Sequence, residues 1–233
     1  MPIKRPSLVS GEIYHIVLRG VAGSRIFRGI DDYYRAIFSL YEFNTSKPIE
    51  IREQRRQRQI VKSAGKETID NREFLVEILA FCFMPNHIHL LLRQLEDKGV
   101  SNFMRKLGAG YGLYFNKKHD RQGHLFQGRF KAVHIKNDEQ LKAVFNYIST
   151  NPVSLIDASW KGRGTRYPKK AVAFLKNYKW SSYLDYIGIK NFPSVTEKKF
   201  ILEIMDGTDG CRDSVEDWIR HKREISIPSV LLE

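Results

Sequence analysis

The sequence predicts an α+β domain of the ferredoxin-like, split βαβ kind. That means an antiparallel sheet with helices packed on one face, plus a small, mostly helical C-terminal appendage. Three observations carry the prediction. Apolar runs of strand length recur at 12–19, 74–83, 87–93 and 130–135. Segments with helical apolar spacing separate the first strand from the second and the third from the fourth. Only Met84-Pro85-Asn86 separates the second strand from the third, so those two form a tight pair.

The elements follow in order. Residues 12–19 (EIYHIVLR) half-alternate and end at Gly20. After a turn-rich stretch, Asp31 is the expected cap of a helix to about Phe43, with Tyr34, Ile37, Phe38 and Tyr41 on one face. Residues 45–73 are polar and contain QRRQRQ; 52–62 hold five basic residues against one acid, so a mobile insertion or hairpin is expected there. Residues 74–83 (FLVEILAFCF) form a buried strand. His87 opens the return strand HIHLLLR, with Pro85 in the turn because it cannot donate to a ladder. Residues 100–116 read as a helix that Gly108, Gly110 and Gly112 weaken by about 1 kcal/mol each relative to alanine. A strand at 130–135 and a helix from a cap at Asp138 to about Thr150 complete the core, stopped by Asn151-Pro152.

The expected organisation is a core domain at 1–157 with the basic insertion at 45–73, a basic extension at 158–190 and a helical region at 191–233. Trp160 opens a stretch to Lys179 with seven Lys or Arg and no acid; helical patches lie at 200–205 and 215–223. No internal repeat is evident.

Composition narrows the function classes. Over 233 residues, 42% hydrophobic and 12% aromatic content is enough to bury a core, which argues against general disorder. A net charge of +13 raises the expectation of a polyanionic partner. The N-terminal segment lacks a signal-peptide apolar run, and no stretch approaches the roughly 18–20 apolar residues of a membrane span. Two distant cysteines, Cys82 and Cys211, suit neither a disulfide framework nor a zinc module. A cytoplasmic protein without a membrane partner is expected.

The chemistry centres on His87-Ile88-His89. On a strand the two imidazoles share a face while Ile88 points into the core, and paired imidazoles are good metal ligands. A bare His-x-His is common on half-exposed strands; its apolar context and the Pro-Asn turn give this one weight. A third ligand has to come from elsewhere. The last helix offers Tyr147 and Asn151 at i and i+4, on one face. The amide completes a coordination set and the phenol stands beside a polarised phosphate, although a tyrosine there also suits a core position. Phenol, with an ordinary pKa of about 10, needs a nearby cation or base to act as nucleophile.

Between these elements lies KKHDRQGHLFQGRFKAVHIK, with six Lys or Arg, three histidines and one acid. Lys117, Lys118, Arg121, His124, Phe126, Gln127, Arg129 and Lys131 are the candidate DNA-binding residues. Cations hold phosphates and aromatic faces stack on unpaired bases. Neither a P-loop nor a dinucleotide fingerprint is present, nor a Gly-x-Ser-x-Gly elbow.

In combination, MPNHIHLLL, YFNKKHDRQGHLFQGRFKA, YISTNPV and WSSY resemble the REP-associated tyrosine transposases, within the single-tyrosine HUH transposases. The resemblance covers roughly residues 11–188, and four motifs in order are far more specific than one. It implies a ferredoxin-like catalytic domain acting on single-stranded or hairpin DNA (REP-like repeats) with Mg²⁺ or Mn²⁺. It also implies His87, His89 and Asn151 as metal ligands and Tyr147 as nucleophile. The reaction implied is transesterification through a 5′-phosphotyrosine link, near the nucleoid. It leaves open whether one chain or a dimer completes the site, and favours a monomer. One departure stands out: the family's Arg-Gly-Asn triplet is here Arg19-Gly20-Val21. Two alternatives are a non-catalytic hairpin DNA- or RNA-binding protein and a plain metal-dependent hydrolase without a covalent intermediate.

Overall fold

A computed structural model describes residues 6–49, 51–63 and 72–221. Four strands, β1 (Ile13–Arg19), β2 (Val76–Met84), β3 (His87–Gln94) and β4 (Lys131–Ile135), form one sheet in the order β2-β3-β1-β4. Every neighbouring pair is antiparallel. This is the strand order of the expected split βαβ arrangement. Met84 pairs with His87 across the two-residue Pro85-Asn86 turn, and that turn fixes the register that places both histidines on one face.

The helices α1 (Ile30–Glu42) and α3 (Gly99–Lys118) cover one face of the sheet. They bury Tyr14, Ile16, Leu18, Ile88 and Leu90 against Leu40, Phe103, Leu107 and Phe115. Gly110 lies within α3 where the Phe43 ring packs on its Cα; a β-carbon there would collide with that ring. The helix thus gives up propensity for close approach to the end of α1.

The opposite face is covered too, which the expectation of helices on a single face did not include. Across it lies α4 (Asp138–Thr150), continued by a 3₁₀ turn (Asn151–Leu155). Behind it come α5 (Trp160–Arg163), α6 (Pro168–Leu175), α7 (Tyr183–Tyr186), α8 (Lys199–Ile204) and α9 (Gly207–His221). Cys82 and Leu91 of the sheet share one buried cluster with Phe145 and Tyr147 of α4 and with Leu175, Tyr186, Cys211 and Trp218. Both cysteines, Cys82 and Cys211, are buried. The segment before α7 also pairs with the outer edge of β2: Phe83 N donates to Trp180 O and Ser182 N to Phe81 O. That pairing blunts an edge that would otherwise be an aggregation template.

Three local expectations are corrected. The basic insertion forms a helix, α2 (Ile51–Ser63), not a hairpin. Its Glu, Gln and Arg residues are straight-chain helix formers, and Gln57 donates to Glu53 one turn back; residues 64–71 of the insertion lie outside the described residues. Helix α1 is capped at Gly29, not Asp31, because the Asp32 carboxylate accepts from Arg28 N (2.8 Å) and Gly29 N (3.2 Å). Helix α4 is capped by Asn137, whose side chain accepts from Gln140 N at 2.8 Å, leaving Asp138 in the first turn.

Candidate active site

The register of β3 builds the site. Directly across from His87 lie Met84 of β2 and Arg19 of β1; across from His89 lie Cys82 and Val17. Opposed residues share a face, so all six side chains belong to the face under α4. Both imidazoles are buried, with ring centroids 4.8 Å apart.

Helix α4 brings the remaining two predicted residues to this pair. Tyr147, 6% exposed, stands edge-on to His89 with ring centroids 5.4 Å apart. Asn151, at the first position of the 3₁₀ turn and 1% exposed, places Nδ2 3.2 Å from His89 Nε2. Phenol, amide and imidazoles therefore converge within one chain. The helix is held there from behind: Asn146 Nδ2 donates to Ser214 Oγ of α9 at 2.8 Å.

The residues fit a divalent cation. Asn86 Oδ1 lies 2.6 Å from His87 Nδ1, which therefore donates and leaves Nε2 as the acceptor nitrogen. Asn151 Oδ1 is buried and accepts no hydrogen bond among the described residues. Two imidazole nitrogens and an amide oxygen suit a first-row divalent ion; Asn151 turns its amide nitrogen, not Oδ1, toward His89 Nε2, so joint ligation requires the amide to rotate and give up that contact. Among the described residues no group of three or more His, Cys, Asp or Glu side chains is placed to hold a metal.

One residue of this face, His15, carries no signal in the sequence, and a second, Arg19, stands out there only in the departure Arg19-Gly20-Val21. His15, 1% exposed, places Nε2 3.0 Å from His89 Nδ1. Arg19 is exposed at the end of β1, one strand from His87 and hence about 5 Å away in backbone terms. A lone polar residue in a short strand has no periodicity to betray it. Gly20 after Arg19 donates to Asn86 O at 2.8 Å, and a β-carbon on it would strike Ser24 O, so this glycine ties β1 to the histidine turn.

The basic loop divides into groups. Lys131 pairs with Val17, putting it on the histidine face at the outer edge of the sheet. His124, Phe126 and Arg129 line a cavity of about 510 Å³ with Met104, Arg105 and Phe130, on the α3 side. Gln127 and Lys117 are exposed, and Gln127 N donates to Arg19 O at 2.8 Å. Lys118 and Arg121 also brace the fold. Lys118 Nζ contacts Asp32 Oδ1 at 3.0 Å. Arg121 donates to Asn116 Oδ1 at 3.0 Å and His124 O at 2.8 Å.

Among the described residues no helix is long and apolar enough to cross a membrane. Comparison with solved structures finds a likeness to a REP-associated tyrosine transposase bound to a REP hairpin. The TM-score is 0.49 at 14% identity, over 82% of this chain and 90% of that one. A Haemophilus influenzae protein named as a REP-associated tyrosine transposase is 32% identical over 103 residues, 40% of this chain. The match spans 57% of that relative's length. A family model described as transposase, IS200 like, matches residues 9–151, well over half of the chain and every residue of the histidine–tyrosine site. The chain belongs to the IS200-like transposase family.

Proposed function

We propose that the chain cuts and rejoins single-stranded or hairpin DNA, REP-like repeats among them, as a metal-dependent endonuclease and strand transferase. The observation that carries this reading is the placement of Tyr147 edge-on to His89, with the Asn151 amide 3.2 Å from Nε2 of the same imidazole.

In the proposed reaction, Tyr147 Oη attacks the phosphorus of a phosphodiester. An Oη–P bond forms, the P–O3′ bond breaks, and the electron pair leaves on the 3′-oxygen. The phenol gives up its proton and the 3′-oxygen gains one. The result is a 5′-phosphotyrosine link and a free 3′-hydroxyl. Attack by an incoming 3′-hydroxyl on the same phosphorus reverses the step and rejoins strands without ATP. Mg²⁺ or Mn²⁺ held by His87, His89 and Asn151 would neutralise and position the phosphate. Arg19, across from His87, supplies a second positive group at the mouth of the site.

Burial of the site face under α4 keeps bulk water from the phosphotyrosine, which favours rejoining over hydrolysis. The anchoring of α4 by α9 supports a site completed in one chain, and so an active monomer. The basic, aromatic residues around Lys131 and Arg129 support a nucleic-acid substrate, and the proposed setting is cytoplasmic, nucleoid DNA.

The test is an SDS-resistant protein–DNA adduct. Wild type with labelled hairpin DNA and Mn²⁺ is expected to form it, and Tyr147→Phe to bind the hairpin without forming it. An adduct of wild-type yield in Tyr147→Phe rejects Tyr147. Divalent-dependent cleavage without an adduct points to a hydrolase, and binding without cleavage to a DNA-binding protein.

A further inference from the structure

His15 is out of place by composition. Its neighbours across the sheet are Leu91 and Val133, it is 1% exposed, and an aliphatic side chain would fill the same position at no polar cost. What it has in return is contact with the site: His15 Nε2 lies 3.0 Å from His89 Nδ1, and the rings are nearly parallel, 17° apart, with centroids 5.2 Å apart. The Tyr147 ring stands edge-on to both, 5.9 Å from His15 and 5.4 Å from His89.

We propose that His15 is a positioning residue that accepts the Nδ1 proton of His89 and thereby fixes the tautomer in which His89 Nε2 presents its lone pair to the cation site. Two neutral imidazoles in nitrogen–nitrogen contact need one donor and one acceptor. The far nitrogen of His89 decides which is which. Asn151 Nδ2 is 3.2 Å from His89 Nε2, and an amide nitrogen only donates. Nε2 therefore accepts, Nδ1 carries the proton, and His15 Nε2 receives it. The polarity runs one way, from Asn151 through His89 to His15.

A metal-bound imidazole needs that same polarity: lone pair toward the cation, N–H toward an outer partner. The outer partner of His87 is an amide oxygen, Asn86 Oδ1. For His89 it is another imidazole, which holds the ring edge to edge by a hydrogen bond lying nearly in the common plane of the two rings and adds no negative charge beside a site that must admit a phosphate. The opposite polarity, with the proton on His89 Nε2, would abolish ligation by that nitrogen. The functional meaning of the proposal rests on His89 being a metal ligand; the tautomer itself does not.

The experiment uses the full chain, metal-free and ¹⁵N-labelled, with the imidazole nitrogens of His89 read by long-range ¹H–¹⁵N correlation. Wild type is expected to show His89 protonated on Nδ1. His15→Phe keeps a ring but removes the acceptor, and is expected to shift His89 toward the Nε2–H form. His15→Gln, whose Oε1 can accept, is expected to keep the wild-type tautomer. Mn²⁺ affinity by electron paramagnetic resonance is expected to fall about 10- to 100-fold in His15→Phe and to be largely retained in His15→Gln. A wild-type His89 protonated on Nε2 overturns the proposal. So does His15→Phe with wild-type tautomer and affinity, or equal losses in Phe and Gln. Should His15→Phe not fold, the wild-type and His15→Gln spectra decide. A wild type with the Nδ1–H tautomer that binds no Mn²⁺ rejects the metal reading instead, and the spectra alone then decide His15.

Discussion

Asn86 and His87 are neighbours in the chain and partners in the site: Asn86 Oδ1 accepts from His87 Nδ1 at 2.6 Å, while its backbone oxygen accepts from Gly20 N at 2.8 Å. The turn residue thus both joins β3 to β1 and sets the direction in which His87 offers its second nitrogen.

Loss of the side-chain half of this arrangement should weaken the metal site without unfolding the sheet. Asn86→Ala keeps the backbone bond to Gly20 and removes the acceptor. Mn²⁺ affinity is expected to drop about 10- to 100-fold, with adduct formation restored at high Mn²⁺. Asn86→Asp retains an acceptor and is expected to stay near wild type. Equal Mn²⁺ affinity for Asn86→Ala and wild type, read by titration calorimetry, would show that His87 needs no such support.

The donor set also predicts which ion is preferred. Mg²⁺ favours oxygen ligands and gives up water reluctantly, whereas two imidazoles suit later divalent ions. Mn²⁺ is therefore expected to half-saturate adduct formation at roughly tenfold lower concentration than Mg²⁺. Asn151→Ala should raise the concentration needed for both, and Asn151→Asp, which adds a carboxylate, should lower it for both. Indifference of either ion to changes at Asn151 would remove the amide from the ligand set.

Much of this site was legible because its residues lie in regular elements. The period of a strand puts His87 and His89 together, and the period of a helix does the same for Tyr147 and Asn151. The pairing of β2 with β3 followed from the short Pro85-Asn86 connection, and the split βαβ arrangement from the order of elements along the chain. Less legible was the second layer of the core. Residues 158–186 contribute Trp160, Ala171, Leu175 and Tyr183 from short helices with few apolar residues. These are too short to carry a period alone, and only tertiary packing assembles them with Trp218 of the longer α9. The basic charge of 52–62 likewise concealed a helix, because charge reports on solvent exposure and not on backbone conformation. His15 was hidden for a third reason: its partner is 74 residues away in sequence.

The Asp32 carboxylate predicts a pH dependence of stability. Asp32 is buried, and burial alone would raise its pKa; hydrogen bonds from Arg28 N, Lys118 and His119 outweigh that and hold it below the ordinary aspartate value. A depressed folded-state pKa contributes stability that is fully present above the unfolded value of about 3.9 and is lost as pH falls through the folded value. Asp32→Asn is expected to cost on the order of 3 kcal/mol near neutral pH, since it breaks a buried charged cluster. The gap between mutant and wild type should narrow below about pH 4. Thermal melting across pH checks this, and a gap of constant size would mean that Asp32 acts by shape and not by charge.

The basic loop gives the last prediction, because its cations do two different jobs. Arg129 is exposed beside the cavity under α3, whereas Lys118 sits on Asp32. A cation that touches a phosphate releases a counterion when DNA binds, so its removal flattens the salt dependence of affinity. Arg129→Ala is expected to lower the slope of log Kd against log salt by about 0.7 to 0.9 for hairpin DNA, with little change in melting temperature. Lys118→Ala should do the reverse, leaving the slope intact and lowering the melting temperature through loss of the Asp32 ion pair. Similar slope changes in both variants would mean that Lys118 leaves Asp32 to bind DNA, and a slope unchanged in Arg129→Ala would place the DNA path elsewhere, with Arg19 and Lys131 on the histidine face the next cations to test.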